Sequence, residues 1–177
     1  MLIKTYGSAI QGINAITITM EVNVDQGINF LLVGLPDSAV KESHQRIDAA
    51  LKNNGYKIPG KKIVINMAPA DIRKEGSSYD LPLAIGILAA SGQINHHKVG
   101  DYLIMGELSL DGSLKRIKGA LPIAIEARNR GFKGLILPKE NAVEAAIVDK
   151  IDVLGIANIK TAINFFNETE AIEPEKV

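Results

Sequence analysis

Residues 15–24, AITITMEVNV, alternate apolar and polar positions from Ile16 to Val24, the period-2 pattern of a strand with one face in water. Gln26-Gly27 follows as a turn, and INFLLVGL, residues 28–35, reads as a more buried strand. The period then changes. In PDSAVKESHQRIDAALKNNG, residues 36–55, Val40, Ile47 and Leu51 fall near one helical face. Asp37 or Ser38 can cap the start of that helix, and Asn54-Gly55 stops it. KKIVINMAP, residues 61–69, is another strand, and the nearly all-apolar run from Asp80 to about Ser91 reads as a buried helix ended by Gly92. YLIMGELSLDGSLK, residues 102–115, predicts a strand, a tight Asp111-Gly112 turn and a return strand.

The remainder alternates helix and strand. ALPIAIEARNRG (120–131) is a helix ended by Gly131, GLILP (134–138) a short buried strand, and ENAVEAAIVDK (140–150) a helix. IDVLGI (151–156) is a strand, IKTAINFFNE (159–168) a last helix, and residues 169–177 a polar tail expected to fray. The pattern assigns no element to the first dozen residues. Helices and strands alternating after a hairpin-like start point to an α/β class, an α+β two-layer sandwich with a mixed sheet and packed helices.

Two adjacent serines, Ser77 and Ser78, stand between a charged loop and the apolar helix. Hydroxyls in that position accept the helix's free N–H groups, so capping is the expected role. Pro82 suits a first helical turn, where its missing N–H costs nothing, and Asp80 complements the positive helix end. A nucleophilic serine needs a base, and no His sits in an elbow or triad context. The three histidines are His44, His96 and His97, and the adjacent pair reads as solvated loop.

Composition narrows the chemistry. Hydrophobic residues make up 46% of the 177 residues, with 5% aromatics and no Trp, so the core is aliphatic. With no Cys there are no disulfides, thiolate metal sites or cysteine nucleophiles. Lys+Arg and Asp+Glu balance at 20 each, so the whole molecule is no electrostatic magnet for nucleic acid. Basic residues still cluster as Lys61-Lys62, Arg73-Lys74 and Lys115-Arg116-Lys118; brought together by the fold they would be nucleic-acid contacts, while the balanced charge favours reading them as solvated loops. No aromatic residues are interleaved to stack bases. GYKIPGKK (55–62) fits a phosphate-loop spacing, but Lys62 replaces the Ser/Thr that would hold Mg²⁺ and the segment precedes a strand. The N-terminus lacks the apolar core of a signal peptide, and no apolar run nears the roughly 20 residues of a membrane span. A cytoplasmic protein without a membrane partner is expected.

GLPDSAVKES, INMAPADIRKEGSSYDLPLAIGIL, GELSLDGSLKRIKGALPIA and ILPKENAVEAA together resemble the N-terminal domain of the ComM/YifB family, the magnesium-chelatase-like AAA+ ATPases of bacteria. The resemblance runs in order across nearly the whole chain. It implies a domain over residues 1–168, a linker over 169–177, and an ATPase module following residue 177 that uses ATP and Mg²⁺. It also implies hexameric rings, in which neighbouring subunits and the chain's own ATPase module are partners, and DNA work in natural transformation and recombination. A true magnesium-chelatase role follows only from the ATPase name, since nothing in these residues suggests porphyrin handling.

That N-terminal domain is similar in turn to the Lon protease catalytic domain and to the Lon-like tail of the repair ATPase RadA. Lon carries a K-D-G-P-S-A-G motif whose Ser is the nucleophile. Against it, KEGSSYD sets Lys74, Glu75 and Gly76 on the first three positions and Ser78 on the nucleophile, while Ser77 replaces the Pro and Asp80 the second Gly. Gly106, Glu107, Leu110 and Gly112 match the strand and turn before Lon's dyad lysine, and counting on without gaps puts Leu121 at the lysine position. Leucine cannot accept a proton. Lys118 lies three residues earlier. The resemblance therefore implies a Lon-like fold, shared with the second domain of a small-subunit ribosomal protein, with a vestigial nucleophile and no nucleotide or metal site of its own. The rival readings are a Ser-Lys peptidase using Ser78 with Lys118 or Lys74, and an autonomous nucleic-acid-binding domain.

Overall fold

The computed structural model describes residues 1–74 and 76–177. Its main sheet has seven strands in the order β3-β4-β2-β1-β5-β8-β9. These are β1 (Leu2–Gln11), β2 (Asn14–Asp25), β3 (Asn29–Val33), β4 (Lys62–Ala68), β5 (Tyr102–Ile104), β8 (Gly134–Pro138) and β9 (Asp152–Ile156). β1, β2 and β4 pair antiparallel, while β3 runs parallel to β4 and β1, β5, β8 and β9 run parallel to one another. The strand directions are mixed, as the sequence pattern predicts. A separate two-stranded ribbon joins β6 (Glu107–Leu108) to β7 (Leu114–Lys115). In its turn Gly112 has φ +94°, and the Asp111 carboxylate accepts the Ser113 N–H (2.9 Å) and hydroxyl (2.7 Å).

Five helices cover the sheet: α1 (Asp37–Lys52), α2 (Asp80–Ala90), α3 (Ala120–Asn129), α4 (Lys139–Ala145) and α5 (Ile159–Phe166). Successive side chains of a strand point to opposite faces, so β2 shows which helix lies where. Val22 meets Gly86 of α2, whereas the Glu126 carboxylate of α3 accepts the Thr17 N–H and hydroxyl from the other face. The α2 face also carries α5, whose Phe165 and Phe166 pack edge-on against Tyr102, and α1, whose His44 ring meets Phe30 of β3. Ala142 of α4 lies against Gly155 on the α3 face. The β3–β4 end is therefore two-layered, and α3 and α4 add a third layer over the other half.

Every residue of α2 is buried, which is why its sequence is apolar around the whole circumference. Sheet and helix approach closely here, because Gly86 presents no side chain to Val22 and Thr5. The Thr5 hydroxyl donates to the Pro82 carbonyl (3.1 Å).

Four expectations change. The first dozen residues form β1, the strand at the sheet's centre. β3, read as buried, is an edge strand, with Leu31 and Val33 about half exposed, because no helix of the described residues covers its outer face. Neither Asp37 nor Ser38 caps α1; its N-cap is Pro36, without a side-chain bond. The tail does not simply fray: the Glu175 N–H donates to the Val153 carbonyl (2.8 Å) and Ile172 packs against the core.

Gly34, just beyond β3, has φ +111°, and a methyl group there would sit 2.6 Å from the Met67 carbonyl oxygen. Backbone cannot yield as a side-chain tip can. Gly34→Ala is expected to destabilise the fold by about 1–3 kcal/mol, read as a lower urea midpoint with unchanged slope.

Candidate functional site

Ser77 and Ser78 lie in a 3₁₀ turn, Gly76–Tyr79, that runs directly into α2. The N-cap of α2 is Tyr79, and among the described residues neither serine hydroxyl makes a capping hydrogen bond to it. The capping expected of the two serines is thus replaced by long-range backbone pairing. Ser78 C=O accepts the Gly106 N–H (2.9 Å), and Leu81 N–H donates to Gly106 C=O (3.0 Å). The Tyr79 hydroxyl donates to Ser8 C=O (3.2 Å).

Asp80 does more than complement a helix end. Its carboxylate is fully buried and accepts from Arg46 Nε (2.6 Å) and Nη2 (3.1 Å), the Ser43 hydroxyl (2.6 Å) and the Leu108 N–H (3.1 Å). One side chain therefore ties α1, α2 and β6 together. Burial pushes the Asp80 carboxyl above its ordinary value, against the downward pull of Arg46, Ser43 and Leu108. The same hydrogen bond to Asp80 raises the Arg46 guanidinium.

A pocket of about 270 Å³ opens beside this junction, lined by Ser78, Tyr79, Met105, Arg73, Lys118 and Gly119, with Ser8, Ala9, Ile10 and Ile123. Ser78 and Lys118 thus share a cavity although 40 positions separate them in the chain. Asn141 of α4 sets the neighbour of Lys118: its amide accepts the Ile117 N–H and donates to the Ile117 C=O, both at 2.9 Å. Among the described residues, the Ser78 hydroxyl has no hydrogen bond to any lysine, Lys118 included. Leu121 occupies the first turn of α3, packs against the core and donates its N–H to Glu144 (3.2 Å). Glu75 lies outside the described residues.

The basic residues do not form one patch. Lys61 and Lys62 are exposed at the start of β4, roughly 20 Å along a seven-residue strand from the end that leads to Arg73. Lys74 is buried, its ammonium donating to Gly34 C=O (3.3 Å) and Ile72 C=O (3.1 Å), and burial lowers its pKa. Lys115 pairs with Glu107 across the ribbon (3.7 Å), and Arg116 is exposed beside it. Arg73 and Lys118, distant in the chain, converge at the pocket. Because Lys115 is well exposed, Lys115→Ala is expected to change stability by no more than about 1 kcal/mol, measured by thermal melting.

Sequence reasoning missed Arg46, Ser43 and Asn141. Ser43 and Arg46 stand three apart, the spacing of one helix face, in a helix whose neighbouring face is apolar. That polar pair on a flank facing the core was the available signal. Asn141 offered none, since an Asn in a first helical turn is ordinary.

Fold and site together define a mixed α/β domain with a serine at the start of a buried helix and, among the described residues, no base hydrogen-bonded to it. The chain belongs to the family described as subunit ChlI of Mg-chelatase, whose model matches residues 20–141. It is 42% identical over 166 residues to YifB of Escherichia coli K12, covering 93% of this chain and 33% of that protein. It is 39% identical over 168 residues to the competence protein ComM of Haemophilus influenzae, covering 94% of this chain and 33% of that protein. A fainter likeness, 33% over 127 residues, links 70% of this chain with 22% of Lon protease 2 of Bacillus subtilis. The chain spans about a third of the length of YifB and ComM. No helix among the described residues is long and apolar enough to cross a membrane.

Proposed function

We propose that residues 1–168 form a non-catalytic accessory domain of a ComM-like AAA+ ATPase that acts on DNA in natural transformation and recombination. The observation that supports the non-catalytic half is Ser78 itself: among the described residues its hydroxyl makes no hydrogen bond to a lysine, and the resemblance to Lon implies Leu121 at the position of the base. A serine hydroxyl without a base is a poor nucleophile at neutral pH. The name of the relative ComM supports the link to competence. ATP and Mg²⁺ belong, in this reading, to the ATPase module, and the domain acts in the cytoplasm by docking against that module, neighbouring subunits of a hexamer or a partner. Autonomous DNA binding is the weaker reading, because the exposed cations are split between the two ends of β4 and the ribbon.

Deleting residues 1–168 from the parent gene in a naturally transformable host tests the proposal. Transformation is expected to fall to the level of the full gene deletion, while the purified truncated protein still hydrolyses ATP. Unchanged transformation would overturn it.

A further inference from the structure

Arg73 and Lys118 are both exposed and stand at one pocket, and no acidic side chain is among the described residues that line it. Neither cation has an ion pair among the described residues. The interior differs in character. Ala9, Met105 and Ile123 are buried and apolar, and Ile10 adds an exposed apolar edge. Gly119, the N-cap of the ten-residue helix α3, also lines the cavity, while the Leu121 N–H of that first turn is taken by the Glu144 carboxylate (3.2 Å). Asn141 and its paired bonds to Ile117 hold this rim in place.

We propose that this pocket binds, without cleaving it, a carboxylate attached to a short apolar group. Arg73 and Lys118 would hold the carboxylate, by forked and point-charge hydrogen bonds respectively. Ala9, Met105 and Ile123 would receive the apolar group, and the Ser78 hydroxyl would offer one further donor or acceptor. A volume of about 270 Å³ is just below the usual range for small-ligand sites, so the fit is to a single residue or small acid rather than a nucleotide. Phosphoryl groups with attached bases are excluded on size, and none of the described residues lining the pocket is anionic to pair with an amine. Two sources present this chemistry: a free carboxylic acid and the C-terminal residue of a protein. The inference rests on the docking reading, since a C-terminus held here is one way for a partner to dock.

The test is ¹H–¹⁵N NMR titration of the 177-residue chain with N-acetyl-leucine, with a hexapeptide ending in free Leu, and with the same hexapeptide amidated. Shifts at Ser78, Met105 and Gly119 that saturate with the free acids and vanish with the amide are expected. Tighter binding of the hexapeptide assigns the ligand to a protein C-terminus, and equal binding of N-acetyl-leucine assigns it to a small acid. Arg73→Gln and Lys118→Gln, both at exposed positions and checked for an unchanged spectrum elsewhere, are each expected to weaken binding by about tenfold. No saturable shift with either acid, or affinity indifferent to the amide and to both variants, overturns the inference. The binding readout involves neither transformation nor peptide turnover, so this inference and the docking reading can fail separately.

Discussion

Arg46→Met is expected to cost about 3–5 kcal/mol of folding free energy, because it leaves the Asp80 carboxylate buried without its counter-charge. In the native fold the Arg46 guanidinium makes both of its hydrogen bonds to Asp80, and Asp80 is fully buried. The Ser43 hydroxyl and Leu108 N–H remain in the variant, but two neutral donors do not replace a charge. The effect has a definite pH dependence. Burial already raises the folded-state pKa of Asp80, and loss of Arg46 raises it further. Ionisation of the carboxylate therefore weighs more heavily on the folded variant than on the folded parent. The deficit is fully present above both folded-state values and shrinks as pH falls through them, when the carboxyl protonates in the folded chain. Urea unfolding of both proteins across that range checks the sign. The double variant Arg46→Met, Asp80→Leu should recover much of the loss, since an apolar pair of similar volume can replace a buried ion pair. If the single variant unfolds at the parent's midpoint, Asp80 is not the tie that holds α1, α2 and β6 together.

Leu81→Ala is the second large effect, expected at about 2–5 kcal/mol. Leu81 is fully buried in the first turn of a helix with no exposed face. Its side chain lies against Gly106, whose backbone pairs with Ser78 and Leu81. The cavity left by truncation would form where the start of α2 is pinned, so the loss should appear in the Ser78 turn as well as globally. Hydrogen exchange at Gly106 should accelerate beyond what the fall in global stability accounts for. Exchange that merely follows global unfolding would place the loss in the core alone.

Most strands and helices were legible in the sequence because their burial follows a simple period. β2 alternates as a half-covered strand should: Ile18, Met20, Val22 and Val24 are buried while Thr19, Glu21 and Asn23 are less so. β1 was not legible. Its buried positions are Thr5, Gly7, Ser8 and Ala9, small or polar residues that let α2 come close, so no hydrophobic stripe marks it. β3 misled for the opposite reason. It is apolar, yet it sits at the sheet edge with one face uncovered, and apolarity alone does not say which neighbour is missing.

The candidate site was half legible. Ser78 and the Asp80-Leu81-Pro82 helix start stood out in the chain, but the partners of Asp80 come from α1 and β6, outside any local pattern. The convergence of Arg73 and Lys118 likewise depends on the fold, while the other clustered cations are dispersed by it.

The most direct test of the account is peptide turnover by the intact parent protein, measured with a fluorogenic peptide and with casein, with and without ATP. The account predicts no turnover above the buffer blank, and the same blank for Ser78→Ala. Turnover by the parent that disappears in Ser78→Ala would show a working nucleophile and contradict it.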